Sequence, residues 1–350
     1  MPDSKQLVLI DGHALAYRAF HALPQDLRTA QGELTNAVFG FTSMLLSVLE
    51  DVNPEYIAVT FDAGPSFRHE MYTEYKAHRA KMPDEMQAQM GRIREIVAAL
   101  SIPTFELSGF EADDLLGTLA AQAEAQGLDT LIVTGDADLL QLVNPRVRVL
   151  TSRWRFSDTV TYDPNGVLER YQLRPDQLAD YKGLVGDKSD NIPGVAGVGE
   201  KTAVALLQQY GSLDAIYEHL DEIPARYRAK LAEGREQAFL SRRLGTIVRD
   251  APIELDLQAC RVHAFDRERV RELFRVLEFR SLMERLPEAK GTAPAGAPQQ
   301  LSLFGGGAEV PQPTPPAQNR YEVIVGLEAL HGLVSRLKDA PALTVDVETT

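Results

Sequence analysis

Three short apolar runs punctuate the first third of the chain: QLVLI (6–10), YIAVTF (56–61) and TLIVT (130–134). Each is rich in β-branched residues and too short for a helix, so each reads as a buried strand. Between the first two lies an apolar segment with helical spacing from Thr35 to Leu49, with Thr35 placed to cap it and Asn53-Pro54 to stop it. Further helices are expected from Asp84 to Leu100 and from about Glu111 to Ala125, the latter with Gly127 just past its end. Strands alternating with helices predict an α/β fold, a mostly parallel sheet with helices on both faces. From about residue 165 strand patterns give way to helical ones, which run to Leu286. The pattern therefore divides the chain into 1–170, an α/β part, and 171–286, a helical part.

Residues 287–319 hold seven prolines and five glycines, a density that supports no core and reads as a flexible linker. Order is expected to resume at Arg320 with YEVIV, a helix near 327–337, and ALTVDVETT at the end. The length of 350 residues suggests about two domains at ~150 residues each. No apolar run approaches the ~18 residues of a membrane span, and MPDSKQLVLI lacks the long apolar stretch of a secretory signal. One cysteine, Cys260, suits a reducing compartment, and a cytoplasmic location without membrane attachment is expected. The net charge of −14 argues at first against a nucleic-acid partner. Charge is uneven, however: residues 226–249 carry seven basic against two acidic side chains. Bulk acidity decides nothing.

The acids themselves are more telling. In open parallel sheets, sites gather beyond the carboxyl ends of the strands. LVLIDGH places Asp11 there, AVTFDAG places Asp62, and LIVTGDADLL places Asp136 and Asp138. FEADDLL adds Glu111, Asp113 and Asp114 at a helix start, and GDKSDNIPG adds Asp187 and Asp190. A single Asp after a strand is ordinarily a cap or a loop residue, as Asp84 and Asp163 read. Nine carboxylates on one edge would repel one another, and divalent cations relieve that. Hard oxygen donors favour Mg²⁺ or Mn²⁺ over zinc. Two such ions ~4 Å apart can activate water and stabilise a leaving oxygen in phosphodiester hydrolysis. A transferase with Asp-x-Asp alone remains an alternative, as does a catalytically silent DNA-binding scaffold.

Two more segments suggest nucleic acid. SFRHEMYTEYKAHRAKM (66–82) interleaves Arg68, Lys76, Arg79 and Lys81 with Tyr72 and Tyr75. Cations track phosphates while rings stack on bases, although a solvated amphipathic helix is the plainer alternative. GVAGVGEKTAVALL (194–207) is a glycine-rich hairpin leading into a helix. There Gly197 and Gly199 would let backbone N–H groups approach a phosphate, with Lys201 and Thr202 in the first helical turn. Its spacing is not that of a Walker A loop.

Taken in order, VLIDGH, TFDAGPSFRHEMYTEYKAHRAKMP, FEADDLLGTLA, VTGDADLLQLV and GLVGDKSDNIPGVAGVGEKTA resemble the 5′ nucleases of the flap endonuclease family, the kind joined to bacterial DNA polymerases. The resemblance covers residues 6–286 nearly continuously. It implies a PIN-like 5′ nuclease fold with a helical arch at about 66–95, and a helix-hairpin-helix subdomain gripping duplex backbone. It implies one ion held mainly by Asp11, Asp62, Glu111 and Asp113. The second would be held by Asp114, Asp136, Asp138, Asp187 and Asp190, some through water. Tyr75, Lys76 and Arg79 match catalytic arch positions, while Arg18, Arg68 and Tyr72 match DNA contacts. A K⁺ ion at the hairpin's main-chain carbonyls is implied too. The expected substrates are DNA with 5′ flaps or nicks and RNA–DNA primer junctions, cleaved by a monomer. ALTVDVETT is similar to the first motif of 3′–5′ proofreading exonucleases, with Asp346 and Glu348 as its acids; with so few residues after the linker, the chain reads as the front of a longer polymerase. In the linker, Gln300, Leu301, Leu303 and Phe304 of QLSLF resemble the pentapeptide by which bacterial replication proteins bind the sliding clamp.

Overall fold

The computed structural model describes residues 5–152 and 159–286. The linker, QLSLF with Gln300, Leu301, Leu303 and Phe304, and the acids Asp346 and Glu348 lie outside the described residues. Among these a six-stranded sheet forms from β1 (Gln6–Asp11), β2 (Tyr56–Thr60), β3 (Thr104–Phe105), β4 (Asp129–Val133), β5 (Val147–Ser152) and β6 (Thr159–Tyr162), in the order β3-β2-β1-β4-β5-β6. β1 lies between β2 and β4, with Leu9 opposite both Ala58 and Ile132. Every pairing is parallel except that of the edge strand β6 with β5. The carboxyl ends of the first five strands thus share one edge.

Alternation along β1 splits its side chains between two cores. Val8 and Ile10 pack among residues of α1 (Gly12–Ala22), α2 (Asn36–Ser47) and, past the short α3 (Phe67–Met71), of α4 (Asp84–Ala99). Leu7 and Leu9 face α5 (Ala112–Ala125), through Leu116, Leu119 and Ala123. All four β1 residues are completely buried, which accounts for an unbroken apolar run rather than an alternating one.

The helical part comprises α6 (Pro164–Tyr171), α7 (Leu178–Val185), α8 (Glu200–Tyr210), α9 (Leu213–Glu218), α10 (Ala225–Glu233), α11 (Arg235–Gly245), α12 (Arg267–Val276) and α13 (Arg280–Met283). α7 and α11 pass closely at Gly183, where a Cβ would stand 3.0 Å from the Ala238 carbonyl oxygen. α12 turns back to the sheet and buries Val270 and Phe274 in the core that holds Val8.

Several boundaries differ from expectation for local reasons. α2 continues through one π-helical turn, Val48–Val52, before Asn53 adopts the left-handed region ahead of Pro54. Thr35 stands at the α2 cap position, but its hydroxyl donates to the Leu27 carbonyl instead of capping. The expected arch helix is not continuous: α3 ends at Met71, turns occupy residues 73–78, and α4 starts at Asp84. Lys76 has φ 54, a left-handed conformation that breaks any helix through it. β5 and β6 were not anticipated, because VRVLTS and TVTY are short and mixed in polarity. Asp163 is a cap as expected, accepting from the Gly166 N–H.

Candidate active site

The sheet edge is assembled by hydrogen bonds between neighbouring strand ends. Asp11 closes β1 and caps α1, its Oδ1 accepting from the Ala14 N–H at 2.9 Å. Its Oδ2 accepts from the hydroxyl of Thr134, just past β4, at 2.7 Å. The same hydroxyl oxygen accepts the Asp136 N–H, and Asp136 in turn accepts the Asp138 N–H. Asp62, past β2, accepts from the Ala112 N–H at the start of α5 and donates its own N–H to His13 Nδ1. Burial lowers the His13 pKa, so His13 stands beside Asp62 as a neutral imidazole.

These carboxylates crowd one another. Burial pushes Asp11 up to about 7, and Asp62 and Asp136 add to the effect. Burial likewise lifts Asp113 well above the carboxylate range, reinforced by Asp136, Asp11, Asp138 and Glu111. Asp138 is raised to about 6, by burial first, against the opposing pull of Lys182. Asp187 goes the other way: burial would raise it, but Lys182 and Ser189 hold it at about 2. Asp138, Asp187 and Asp190 each offer an oxygen within 4.8 Å of the others. An all-carboxylate donor set under this mutual repulsion fits hard divalent cations.

The arch segment descends onto this edge. Glu111 accepts from Ser66 Oγ at 3.0 Å, from Lys76 Nζ at 3.0 Å and from the Tyr75 hydroxyl at 3.2 Å. Asp190 faces the same Tyr75 hydroxyl at 3.3 Å, Lys76 Nζ at 3.7 Å, and an ion pair with Arg79. The Lys76 N–H donates to the Asp190 carbonyl, which explains the bend at its left-handed φ. Lys76, Arg79, Tyr17, His13, Asp62 and Glu111 line a cleft of about 620 Å³.

Four expected residues lie elsewhere. Asp114 does not face the cluster: it is completely buried, in a bidentate pair with Arg68 at 2.6 and 2.8 Å. Arg68 is thus committed to a buried ion pair rather than presented to solvent. Its side chain also donates to the carbonyls of Leu244 and Thr246 at the end of α11, and only 3% of it is exposed. Tyr72 is partly buried, packed against Tyr75, Ile192 and Leu244. Arg18 lines a separate cleft of about 820 Å³ with Arg170 and Tyr162.

Asp187 and Asp190 open the loop between α7 and α8; Gly197 and Gly199 end it. Gly197 has φ +77, and its carbonyl accepts from Lys230 Nζ at 3.3 Å. Gly199 caps α8, with Lys201 and Thr202 in the first turn. The sequence reading missed His13, Ser66, Thr134, Lys182 and Lys230. Thr134 could have been found, because it directly precedes the GDAD motif, and so could His13 within LVLIDGH, Ser66 at the start of SFRHEMY and Lys182 just before GLVGDKSDN.

Two family models adjoin in this chain. The 5′–3′ exonuclease N-terminal resolvase-like domain matches residues 6–172, and the 5′–3′ exonuclease C-terminal SAM fold matches 173–268. The chain belongs to the 5′–3′ exonuclease family. Among its relatives, DNA polymerase I of Chloroflexus aurantiacus is 50% identical over 366 residues, covering 98% of this chain and 38% of that protein. DNA polymerase I of Bacillus subtilis is 46% identical over 295 residues, covering 84% of this chain and 33% of the relative. The chain thus spans between a third and two fifths of the length of these relatives. Bacteriophage T5 5′-exonuclease with bound zinc has the same fold, with TM-score 0.57 at 20% identity over 78% of this chain and all of that one. So does the T5 flap endonuclease solved as a pseudo-enzyme-product complex with DNA and metal ions, with TM-score 0.57 at 21% identity and the same coverage. The Rad2 catalytic core in complex with DNA substrate aligns with TM-score 0.55 at 16% identity, over 81% of this chain and 93% of its own. No helix among the described residues is long and apolar enough to cross a membrane.

Proposed function

We propose that this chain is a structure-specific 5′–3′ exonuclease and flap endonuclease, part of a DNA polymerase I, that removes 5′ flaps and RNA primers in replication and repair. The observation that carries the reading is the convergence of Asp11, Asp62, Glu111, Asp113, Asp136, Asp138, Asp187 and Asp190 on one edge beneath a cationic arch. DNA and metal ions in the related T5 complex support it.

Two Mg²⁺ or Mn²⁺ ions would be held there, Asp11, Asp62, Glu111 and Asp113 mainly serving one and Asp136, Asp138, Asp187 and Asp190 the other. When bound, such ions lower the pKa of water to make a nucleophile and stabilise the departing oxygen. The chain's own groups do the rest. Thr134 fixes the direction of Asp11, as a group bonded behind a ligand does. The Tyr75 hydroxyl lies between Glu111 and Asp190 and can donate its one hydrogen to either. Lys76 and Arg79, which pair with those acids here, supply positive charge for a scissile phosphate entering the cleft. His13, neutral and bonded to the Asp62 backbone, sets that loop.

The hairpin with Gly197, Gly199, Lys201 and Thr202, and separately Arg18, would grip duplex backbone without reading sequence. K⁺ at the hairpin carbonyls belongs to the same proposal, and Lys230 would share the Gly197 carbonyl with it. Clamp binding through QLSLF, a proofreading segment carrying Asp346 and Glu348, action as a monomer and a cytoplasmic location complete it. Changing Leu303 and Phe304 to Ala is expected to remove clamp from a pull-down. The central test is flap cleavage with and without Mg²⁺. Asp136→Ala with Asp138→Ala should abolish cleavage while leaving DNA binding largely intact; cleavage at the parent rate would discard the metal assignment.

A further inference from the structure

Lys182 sits in the last turn of α7, five residues before Asp187. Its ammonium pairs with Asp138 and, at 2.7 Å, with Asp187 Oδ2. The side chain is 15% exposed. Its stem is walled by α11, where a Cβ on Gly245 would stand 3.0 Å from Lys182 Cδ. Asp138 and Asp187 reach it from different elements, one after β4 and one after α7. Both belong, with Asp190, to the group whose oxygens lie within 4.8 Å of one another. The ammonium therefore engages carboxylates that a second divalent cation would use. Close positive charges repel strongly in a partly desolvated site, so the two cations compete for these oxygens.

We infer that Lys182 is a resident counter-ion of the second metal subsite, holding Asp138 and Asp187 together until an incoming divalent cation displaces its ammonium. This rests on the two-ion reading above. The geometry explains how three acids stay close without metal: Lys182 balances two, and Arg79 balances Asp190. Room for the displaced ammonium exists alongside, in a cleft of about 500 Å³ lined by Asp138, Lys182, Asp187, Tyr181 and Glu200. The design trades affinity for a preformed site, because each binding event must break two ion pairs.

The test is calorimetric titration of the full chain with Mn²⁺ at pH 8, without DNA, for the parent, Lys182→Met and Asp187→Asn. Met keeps the apolar stem and removes the charge. Two binding events are expected in the parent, and loss of one in Asp187→Asn identifies the second subsite. In Lys182→Met that event should tighten by about tenfold, because the competing charge is gone. The melting temperature of Lys182→Met should fall below the parent's in EDTA, and the gap should close in saturating Mn²⁺. Should Lys182→Met fail to fold, Lys182→Gln carries the same measurement, while Lys182→Arg should bind like the parent. A folded, uncharged variant whose second event is unchanged or weaker overturns the counter-ion role while leaving two-ion binding intact. A parent showing no second event sinks the two-ion reading itself, and the inference with it.

Discussion

Arg68 is the residue whose environment most changes its meaning. In the sequence it is one cation among several near tyrosines, which suggests a phosphate contact. In the fold it joins Asp114 of α5 to carbonyls at the end of α11, while Asp114 also accepts the Val248 N–H. Removing one partner of a buried pair strands the other charge. Arg68→Met is therefore expected to lower unfolding free energy by about 3–5 kcal/mol, with Asp114→Asn added to it restoring part of the loss. Urea denaturation of the single and double variants measures both. Cys260 gives a pH prediction at the same scale. Burial, with some help from Asp256, pushes its thiol up to about 11 from 9.0. The unfolded thiol ionises first as pH rises, so this group's contribution to stability is lost between about pH 9 and 11. Alkylation at pH 8 should be slow in the native protein and rapid in urea, because the thiolate is the nucleophile and burial shields it. Rapid native labelling at one equivalent per chain would contradict the buried environment.

At the scale of elements, the α7–α8 loop shows which glycines geometry demands. The sequence singles out Gly197 and Gly199. The tightest approach is instead between Gly186 and Gly194, both at positive φ. A Cβ on Gly194 would lie 2.3 Å from the Gly186 nitrogen, and one on Gly186 would lie 2.4 Å from the Ile192 carbonyl oxygen. No side-chain adjustment relieves a clash with backbone. Gly194→Ala should cost about 2 kcal/mol or more, combining left-handed strain with displacement of the loop. Because that loop carries Asp187 and Asp190, Mn²⁺ affinity should fall with stability; chemical denaturation and calorimetry check the two effects together. The arch gives the complementary lesson. Its residue composition suggested helix, but contacts with Asp190 turn the chain at Lys76, and no local pattern records a partner 114 residues away.

For the whole molecule, the two matched halves are not separate bodies. One apolar cluster runs from Leu7 and Leu9 of β1 through Leu119 of α5 to Leu184, Leu207, Leu231 and Ala238 of the helical part. The other takes Val8 and Ile10 together with Val270 and Phe274 of α12. A fragment ending at residue 172 would leave both clusters open to water, and hydrophobic burial is the main term holding a fold together. It should therefore lack a cooperative thermal transition and bind a hydrophobic dye; a sharp transition would show that the α/β part stands alone.

The sequence by itself determined β1, β2 and β4, the principal helices and the sheet edge to which Asp11, Asp62, Asp136 and Asp138 belong. Those follow from periodicity and from the fixed place of strand ends in a parallel sheet, which are local properties. It also brought Glu111, Asp113, Asp187 and Asp190 into the same motif order. Only the tertiary structure decided that Asp114 turns inward to Arg68, that Thr134 ties β4 to Asp11, and that Lys182 stands between Asp138 and Asp187. Each depends on burial and on side chains meeting across distant segments. A charged residue carries the same letter whether it faces a phosphate, a metal or a buried partner; the surrounding desolvation and the nearest opposite charge settle which.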